Sequence, residues 1–407
     1  MPIKSIVKYI RDTMPGARLS FLTDCGFLIS YLPTSSVVSH RSFVNYQLGL
    51  KPVVKIQSIA TSTYDASDLS RCVSHVARNP MPLKTMPLGI DDVQLKEFEN
   101  VAVEAASKAG SFVLERITSI MEIKSKTDRP GRDLVTDVDR DSQVIISDII
   151  TSRFPDHQFL GEEDQTEEVD PAAEFVWAVD PIDGTANYVN GSMTHAVSVA
   201  LMHRGSPIVG AIWSPWPTSS DGGIVVHARL NGGTKRDGET MQVLEPSDEF
   251  NRPVSGRLSA LPGNARSVFK FDNRMRGHAG DVRVTGSAAH EMSSVGTGLY
   301  QFAIGGVAAV WDFAAAVVIV QEAGGEVMIL APDGSWRDFR GWSQPYTNTA
   351  ETFKHLRDWR GIMLASHPKT MQFIAENVRF RRPSQIGKLW RRGPWHPHRR
   401  RHRRHPA

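Results

Sequence analysis

At 407 residues, 41% of them hydrophobic, the chain is long enough for two or three domains and carries ample apolar material for a substantial core. The formal net charge of +3 conceals a polarised chain: residues 381–407 hold nine arginines, one lysine and no acid, residues 1–80 hold nine basic residues against four aspartates, and residues 81–380 are left at −12. Two cysteines exclude a disulfide framework, and no uninterrupted apolar run approaches the roughly 18 residues needed to span a bilayer.

Residues 1–85 show no clear amphipathic period and many Ser, Thr, Pro and Gly breaks. A targeting segment, interrupted by Asp12 and Asp24, and an accessory domain are two readings. The third, taken here, is a poorly structured extension, with initiation at Met81 or Met86 as a variant. Cys25 and Cys72 both lie in it, so the remainder carries no thiol chemistry and a reducing cytoplasm is the simplest home, organelle targeting being the alternative. The spacing then predicts helices over 93–115 and 137–152, a buried strand over 175–179, and strands over 196–201, 208–212 and 222–226. An Ala-rich helix over 313–321 is closed by Gly324-Gly325, and 326–330 is the next strand. Antiparallel strands early and mixed elements later argue for α+β or layered α/β rather than a doubly wound sheet. Residues 86–380 are read as the catalytic domain, and the Arg/His-rich 381–407 as a disordered tail able to grip nucleic acid or another acidic surface, or a solvated extension.

The chemistry concentrates in three segments: Gly161-Glu162-Glu163-Asp164, Asp180-Pro181-Ile182-Asp183-Gly184-Thr185 and Trp311-Asp312. Carboxylates about 4 Å apart repel by roughly 4 kcal/mol per pair at an effective dielectric near 20, so converging ones stay ionised only around cations. Oxygen ligands without Cys or His point to Mg²⁺, with Mn²⁺ as substitute. Pro181 cannot continue a strand's ladder, so the chain is expected to turn there, with Asp180 at the strand's end and Asp183 one turn later. Gly184 lets backbone approach a ligand, and amides that follow it suit phosphate.

Five signatures in order carry a resemblance: Asp133-Leu134-Val135-Thr136 leading to Asp139, then Gly161-Glu162-Glu163, Asp180 to Thr185, Gly286-Ser287-Ala288-Ala289, and Trp311-Asp312 with Glu322-Ala323-Gly324-Gly325. Over residues 90–375 the chain resembles the inositol monophosphatase family, the Mg²⁺-dependent, lithium-sensitive sugar-phosphate phosphatases related in fold to fructose bisphosphatases. The resemblance implies a layered α-β-α-β sugar-phosphatase fold. It implies that Glu162, Asp180 and the Ile182 carbonyl hold one metal, that Asp180, Asp183 and Asp312 hold a second, and that Glu162 faces a weaker third. Asp139 and Thr185 would orient the attacking water, with no covalent phosphoenzyme. Gly184 and Thr185 would meet the phosphate, and Gly286, Ser287 and Ala288 the rest of the substrate. Family members commonly dimerise, and Li⁺ is expected to inhibit.

One departure bears on the substrate. Inositol-specific relatives have a glutamate where this chain has Gly305, so inositol selectivity is not implied while the metal chemistry is. The expectation is hydrolysis of a small polyol or sugar phosphate. Fructose 1,6-bisphosphate, histidinol phosphate or a nucleotide 3'-phosphate are alternatives in the same chemistry, and a non-catalytic protein holding nucleic acid by its basic tail is the alternative from another class. Lys124, His195 and His290 are given no catalytic role.

Overall fold

The computed structural model describes residues 17–22, 26–31, 44–45, 53–54, 89–117, 124–125, 134–163, 174–247, 249, 251–275, 277–342 and 350–381. The chain divides into two units, Met1–Thr85 and Met86–Ala407. In the first, β1 (Ala17–Leu22) pairs antiparallel with β2 (Gly26–Tyr31), and β3 (Val44–Asn45) with β4 (Val53–Val54). These strands lie where the sequence reading placed no regular element. Cys72 and the basic tail from residue 382 onward lie outside the described residues.

The second unit opens with α1 (Asp92–Arg116), set by a capping box in which Asp91 accepts the Gln94 amide at 2.8 Å and Gln94 accepts the Asp91 amide at 3.3 Å. Its buried face, Leu95, Phe98, Ala102, Ala105, Ala106, Ala109 and Val113, recurs at three- and four-residue intervals, and the alanines bring the helix close to the sheet beneath. After the short pair β5 (Lys124–Ser125) and β6 (Leu134–Val135) comes α2 (Asp137–Arg153), capped by Thr136.

The first sheet contains β7 (Gln158–Gly161), β8 (Phe175–Asp183), β9 (Ala196–His203), β10 (Ser206–Pro215), β11 (Gly223–Arg229), β12 (Gly233–Arg236) and β13 (Glu239–Met241), with the five-residue helix α3 (Thr185–Val189) after β8. Its order is β13-β12-β11-β10-β9-β8-β7, antiparallel except for β7 beside β8. Every residue of β9 is buried, which is why this strand reads as a continuous apolar run: helices cover both faces.

The remaining elements are β14 (Leu258–Ala260), α4 (Ala265–Val268), β15 (Phe269–Phe271), β16 (Asp281–Arg283), α5 (Ala288–Gly296), β17 (Tyr300–Ile304), α6 (Val310–Glu322), β18 (Glu326–Leu330), β19 (Trp336–Asp338), α7 (Ala350–Asp358), β20 (Met363–Ser366), α8 (Pro368–Asn377) and β21 (Val378–Phe380). They build a mixed six-stranded sheet ordered β16-β14-β17-β20-β18-β19, beside the antiparallel pair β15 and β21. Helices α1 and α2, the first sheet, α5 with α6, and the second sheet form successive layers, and α8 packs on the outer side of the second sheet through Met371 and Ile374.

Buried on nearly every side, α6 is apolar all round, as a helix between two sheets must be. A Cβ on Gly210 of β10 would lie 2.3 Å from the Ala315 carbonyl oxygen, so strand and helix meet backbone to backbone where only glycine fits. One expectation is corrected here. β8 does not stop before Pro181: it runs to Asp183, with Asp180 opposite Ser198 and Asp183 opposite Ala196, so three steps on β8 face two on β9. The extra residue forms a bulge that absorbs the missing proline N–H, and a bulge re-aims side chains beside a site. Among the described residues no helix is long and apolar enough to cross a membrane.

Candidate metal centre

The carboxylates meet where the first sheet borders α5 and α6. Glu162 follows β7, and its backbone N–H donates to Val179 at 3.0 Å, which places it beside the end of β8. Asp180 lies within the β8 bulge, where one carboxylate oxygen accepts the Ile182 amide at 3.0 Å. Asp312 comes from the first turn of α6, where it accepts the Ala309 amide, and the Ser198 hydroxyl ties the Trp311 carbonyl to β9 at 2.9 Å. One oxygen from each of Glu162, Asp180 and Asp312 lies within 4.8 Å of the others. This trio cuts across the two ligand sets expected from the sequence.

Asp183 stands next to the trio but is turned toward α5. A single oxygen, Oδ2, accepts both the Ser287 hydroxyl and the Ala289 amide, each at 2.6 Å. Ser287, at the start of α5, therefore holds a carboxylate as well as lining the cavity. Gly184, at φ 91°, turns the chain from β8 into α3, a left-handed conformation that glycine adopts without strain. Asn187 locks this turn to its surroundings, donating to the carbonyls of Thr194 at 2.6 Å and Thr285 at 2.7 Å.

Burial is the main reason that these carboxyls resist ionisation. It drives Asp180 well above the usual carboxylate range, helped by Glu162, Asp312 and Asp183. Asp183 is pushed up to about 8 by burial and then by Asp312, against the pull of its Ser287 and Ala289 bonds. Asp312 rises to about 6 through burial and Glu162, while a hydrogen bond from Asp180 opposes the rise. The hydrogen bond between these two carboxyls favours the neutral form of Asp180 and the ionised form of Asp312. Such a set is electrostatically strained unless positive charge enters, and oxygen donors alone suit a hard divalent ion. The residues fit Mg²⁺.

Asp139 and Thr185 meet just beyond the end of β8. Asp139 is buried as the third residue of α2: its Oδ2 accepts the Thr136 amide at 2.8 Å and the Thr136 hydroxyl at 2.5 Å. Its other oxygen lies 3.2 Å from the Thr185 hydroxyl, which is also 3.1 Å from the Ile182 carbonyl. Capping and pairing with Thr185 coexist in one side chain, because each uses a different oxygen.

A cavity of about 320 Å³ opens over the centre, lined among others by Glu162, Asp183, Gly286, Ser287, Ala288 and Asp312. Its outer wall holds Pro262, Val284, Val307, Glu291 and Arg360, none singled out by the sequence reading. Glu291 secures the approach to α5: its Oε1 accepts the Thr285 amide and hydroxyl, both at 2.8 Å. Gly305 offers no side chain, and a Cβ there would lie 2.7 Å from the Phe313 ring, so a larger residue would require that ring on α6 to shift. His195 is wholly buried and held by the Ser192 carbonyl at 2.9 Å. The side chains of Asp133 and Lys124 lie outside the described residues.

Comparison with known proteins agrees with this architecture. The model of the inositol monophosphatase family matches residues 94–380. Inositol monophosphatase 2 of Solanum lycopersicum is 31% identical over 276 residues, 65% of this chain and 96% of that relative. A fructose-1,6-bisphosphatase/inositol-1-monophosphatase of Thermotoga maritima is 29% identical over 226 residues, 56% of this chain and 82% of that relative. The solved inositol monophosphatase of Anabaena (Nostoc) shares the fold at a TM-score of 0.50 and 24% identity, over 70% of this chain and 96% of that one. With the family model running from the first turn of α1 to the end of β21, over more than half of the chain, the chain belongs to the inositol monophosphatase family.

Proposed function

We propose that this protein is a Mg²⁺-dependent phosphomonoesterase that hydrolyses a small polyol or sugar phosphate by direct attack of water. The observation that carries the reading is the convergence of Glu162, Asp180 and Asp312 within 4.8 Å, next to the Thr185–Asp139 pair. Bound Mg²⁺ supplies charge neutralisation for the phosphate and lowers the pKa of water. The protein's own contribution is orientation. Asp139, held by Thr136, accepts the Thr185 proton, so the Thr185 hydroxyl oxygen turns its lone pairs outward to accept a hydrogen bond from the attacking water. Ser287 and the Ala289 amide hold Asp183 in place beside the trio; Gly286, Ser287 and Ala288 line the cavity, and Gly184 and Thr185, which follow Asp183 in the chain, are read as meeting the phosphate. Fixing reactants in this way is where most of the catalysis of phosphoryl transfer resides.

The ligands of the ions are read as Glu162, Asp180, the Ile182 carbonyl, Asp183 and Asp312, serving two ions and a weaker third. A homodimer and inhibition by Li⁺ are the family-based parts of the proposal, while use of Mn²⁺ follows from the oxygen donors and a cytoplasmic setting from the placement of the two cysteines. A panel of phosphate esters, assayed with Mg²⁺ or Mn²⁺ and with or without Li⁺, tests it. Mg²⁺-dependent release of phosphate, suppressed by Li⁺, is the expected result. A protein inert toward every ester in the panel, with bound divalent cation, would overturn the reading.

A further inference from the structure

We propose that Arg360 recognises a second anionic group on the alcohol portion of the substrate, so that favoured esters carry a phosphate or carboxylate besides the phosphate that is hydrolysed. This rests on the phosphomonoesterase reading above. Among the described residues lining the cavity, Arg360 supplies the one lysine or arginine side chain. It stands just before β20, half-buried, with its guanidinium carbon 4.9 Å from the centroid of the Trp311 ring. Its Nη1 donates to the carbonyls of Arg357 at 2.7 Å and Trp359 at 2.6 Å. Two carbonyls and an indole thus hold a normally mobile side chain against the cavity wall, and a guanidinium fixed in advance loses less entropy on gripping an oxyanion.

The rest of the outer wall narrows what that cation can meet. Pro262, Val284 and Val307 present carbon, with Val284 60% and Val307 44% exposed. Glu291 is committed to Thr285 and Gly286. Among the side chains of that wall Arg360 is the one strong donor group, and an ester with an anionic substituent matches it better than a neutral polyol does. The competing role is charge balance, since Asp312 and Glu162 attract the guanidinium. That role would change cation affinity for all substrates alike.

Fructose 1,6-bisphosphate and fructose 1-phosphate differ only in the second phosphate, and 2-phosphoglycerate and glycerol 2-phosphate in a carboxylate. For each pair, kcat/KM and the Mg²⁺ concentration at half-saturation are measured in the parent and in Arg360→Met, with thermal unfolding as the control for folding. The parent should prefer the member with the extra anion. Arg360→Met should lower that preference roughly tenfold to a hundredfold, the range of a lost hydrogen bond to a charged group. Arg360→Lys retains charge without the fork geometry or the stacking, should show a smaller drop, and carries the test if the methionine variant does not fold. Loss on one pair alone identifies the second anion as phosphate or carboxylate. An unchanged preference in both pairs overturns the inference, as does an equal fall on all four esters with a raised Mg²⁺ requirement, which would assign Arg360 to charge balance. Parent activity on these esters together with either result leaves the phosphatase reading standing, while a parent inert toward all four and the wider panel overturns both.

Discussion

Replacing Asp183 by Asn separates the electrostatic strain of the centre from its architecture. Both hydrogen bonds to Asp183 end on the same oxygen, so an asparagine carbonyl in that place keeps Ser287 and the Ala289 amide satisfied. What changes is the charge. The Asp183 carboxyl is raised to about 8 from 3.8. A carboxyl raised in the native state contributes stability that is complete below pH 3.8 and is lost as pH climbs toward 8. At pH 7 the loss amounts to at most about 4 kcal/mol, at 1.36 kcal/mol per pH unit over the interval from 3.8. Recovery of half of it, about 2 kcal/mol, would raise the unfolding temperature of a unit this size by roughly 3 °C. Thermal scans in chelator should therefore show Asp183→Asn more stable than the parent at pH 7, with the two converging near pH 4. Adding Mg²⁺ should stabilise the parent more than the variant, and the variant should not turn over. Parallel stability curves from pH 4 to 8, or hydrolysis by Asp183→Asn at the parental rate, would refute the reasoning.

Thr185→Ala should lower kcat about a hundredfold while the Mg²⁺ requirement stays within twofold, because a water-orienting hydroxyl is lost and no carboxylate is; a kinetic titration of Mg²⁺ checks this. His157 gives a pH dependence of opposite sign to that of Asp183. Its Nδ1 accepts the Trp177 indole N–H at 3.0 Å between the rings of Phe154 and Phe175, and burial lowers it to about 4. The unfolded chain then binds the extra proton first, so stability should fall by up to about 3 kcal/mol as pH drops from 6.5 to 4. His157→Phe should flatten that fall in denaturant titrations and cost about 1 to 3 kcal/mol at pH 7 by stranding the indole N–H. Gly210→Ala forces a methyl into the Ala315 carbonyl, and should cost about 3 kcal/mol in the same titrations and weaken Mg²⁺ binding through displacement of the helix that carries Asp312.

Long elements were legible because their burial is nearly complete. The helix anticipated over 313–321 is observed at Val310–Glu322, and the strand 326–330 at Glu326–Leu330. Asp180, Asp183 and Asp312 were legible as neighbours because mutual repulsion makes such groups costly to assemble without a purpose. The end of β8 was misjudged, since the proline rule considers one hydrogen bond, whereas the bulge between Asp180 and Asp183 rearranges two strands to do without it. Ser287 looked like a substrate contact alone, and its bond to Asp183 depends on two segments more than a hundred residues apart. Arg360 could not be found from the sequence at all. No motif surrounds it, and its importance comes from the Trp311 ring and a cavity built by distant segments.

The converging oxygens belong to different layers: Glu162 and Asp180 are anchored in the first sheet, while Asp312 rides on the helix packed between the sheets. A cation held by all three is therefore a keystone as well as a reagent, and its binding free energy becomes cohesion between layers. Depletion of the ion should loosen the seam before either sheet melts. Amide hydrogens at the first turns of α5 and α6 would exchange early, and loss of chemistry and loss of rigidity would set in at the same free concentration of metal.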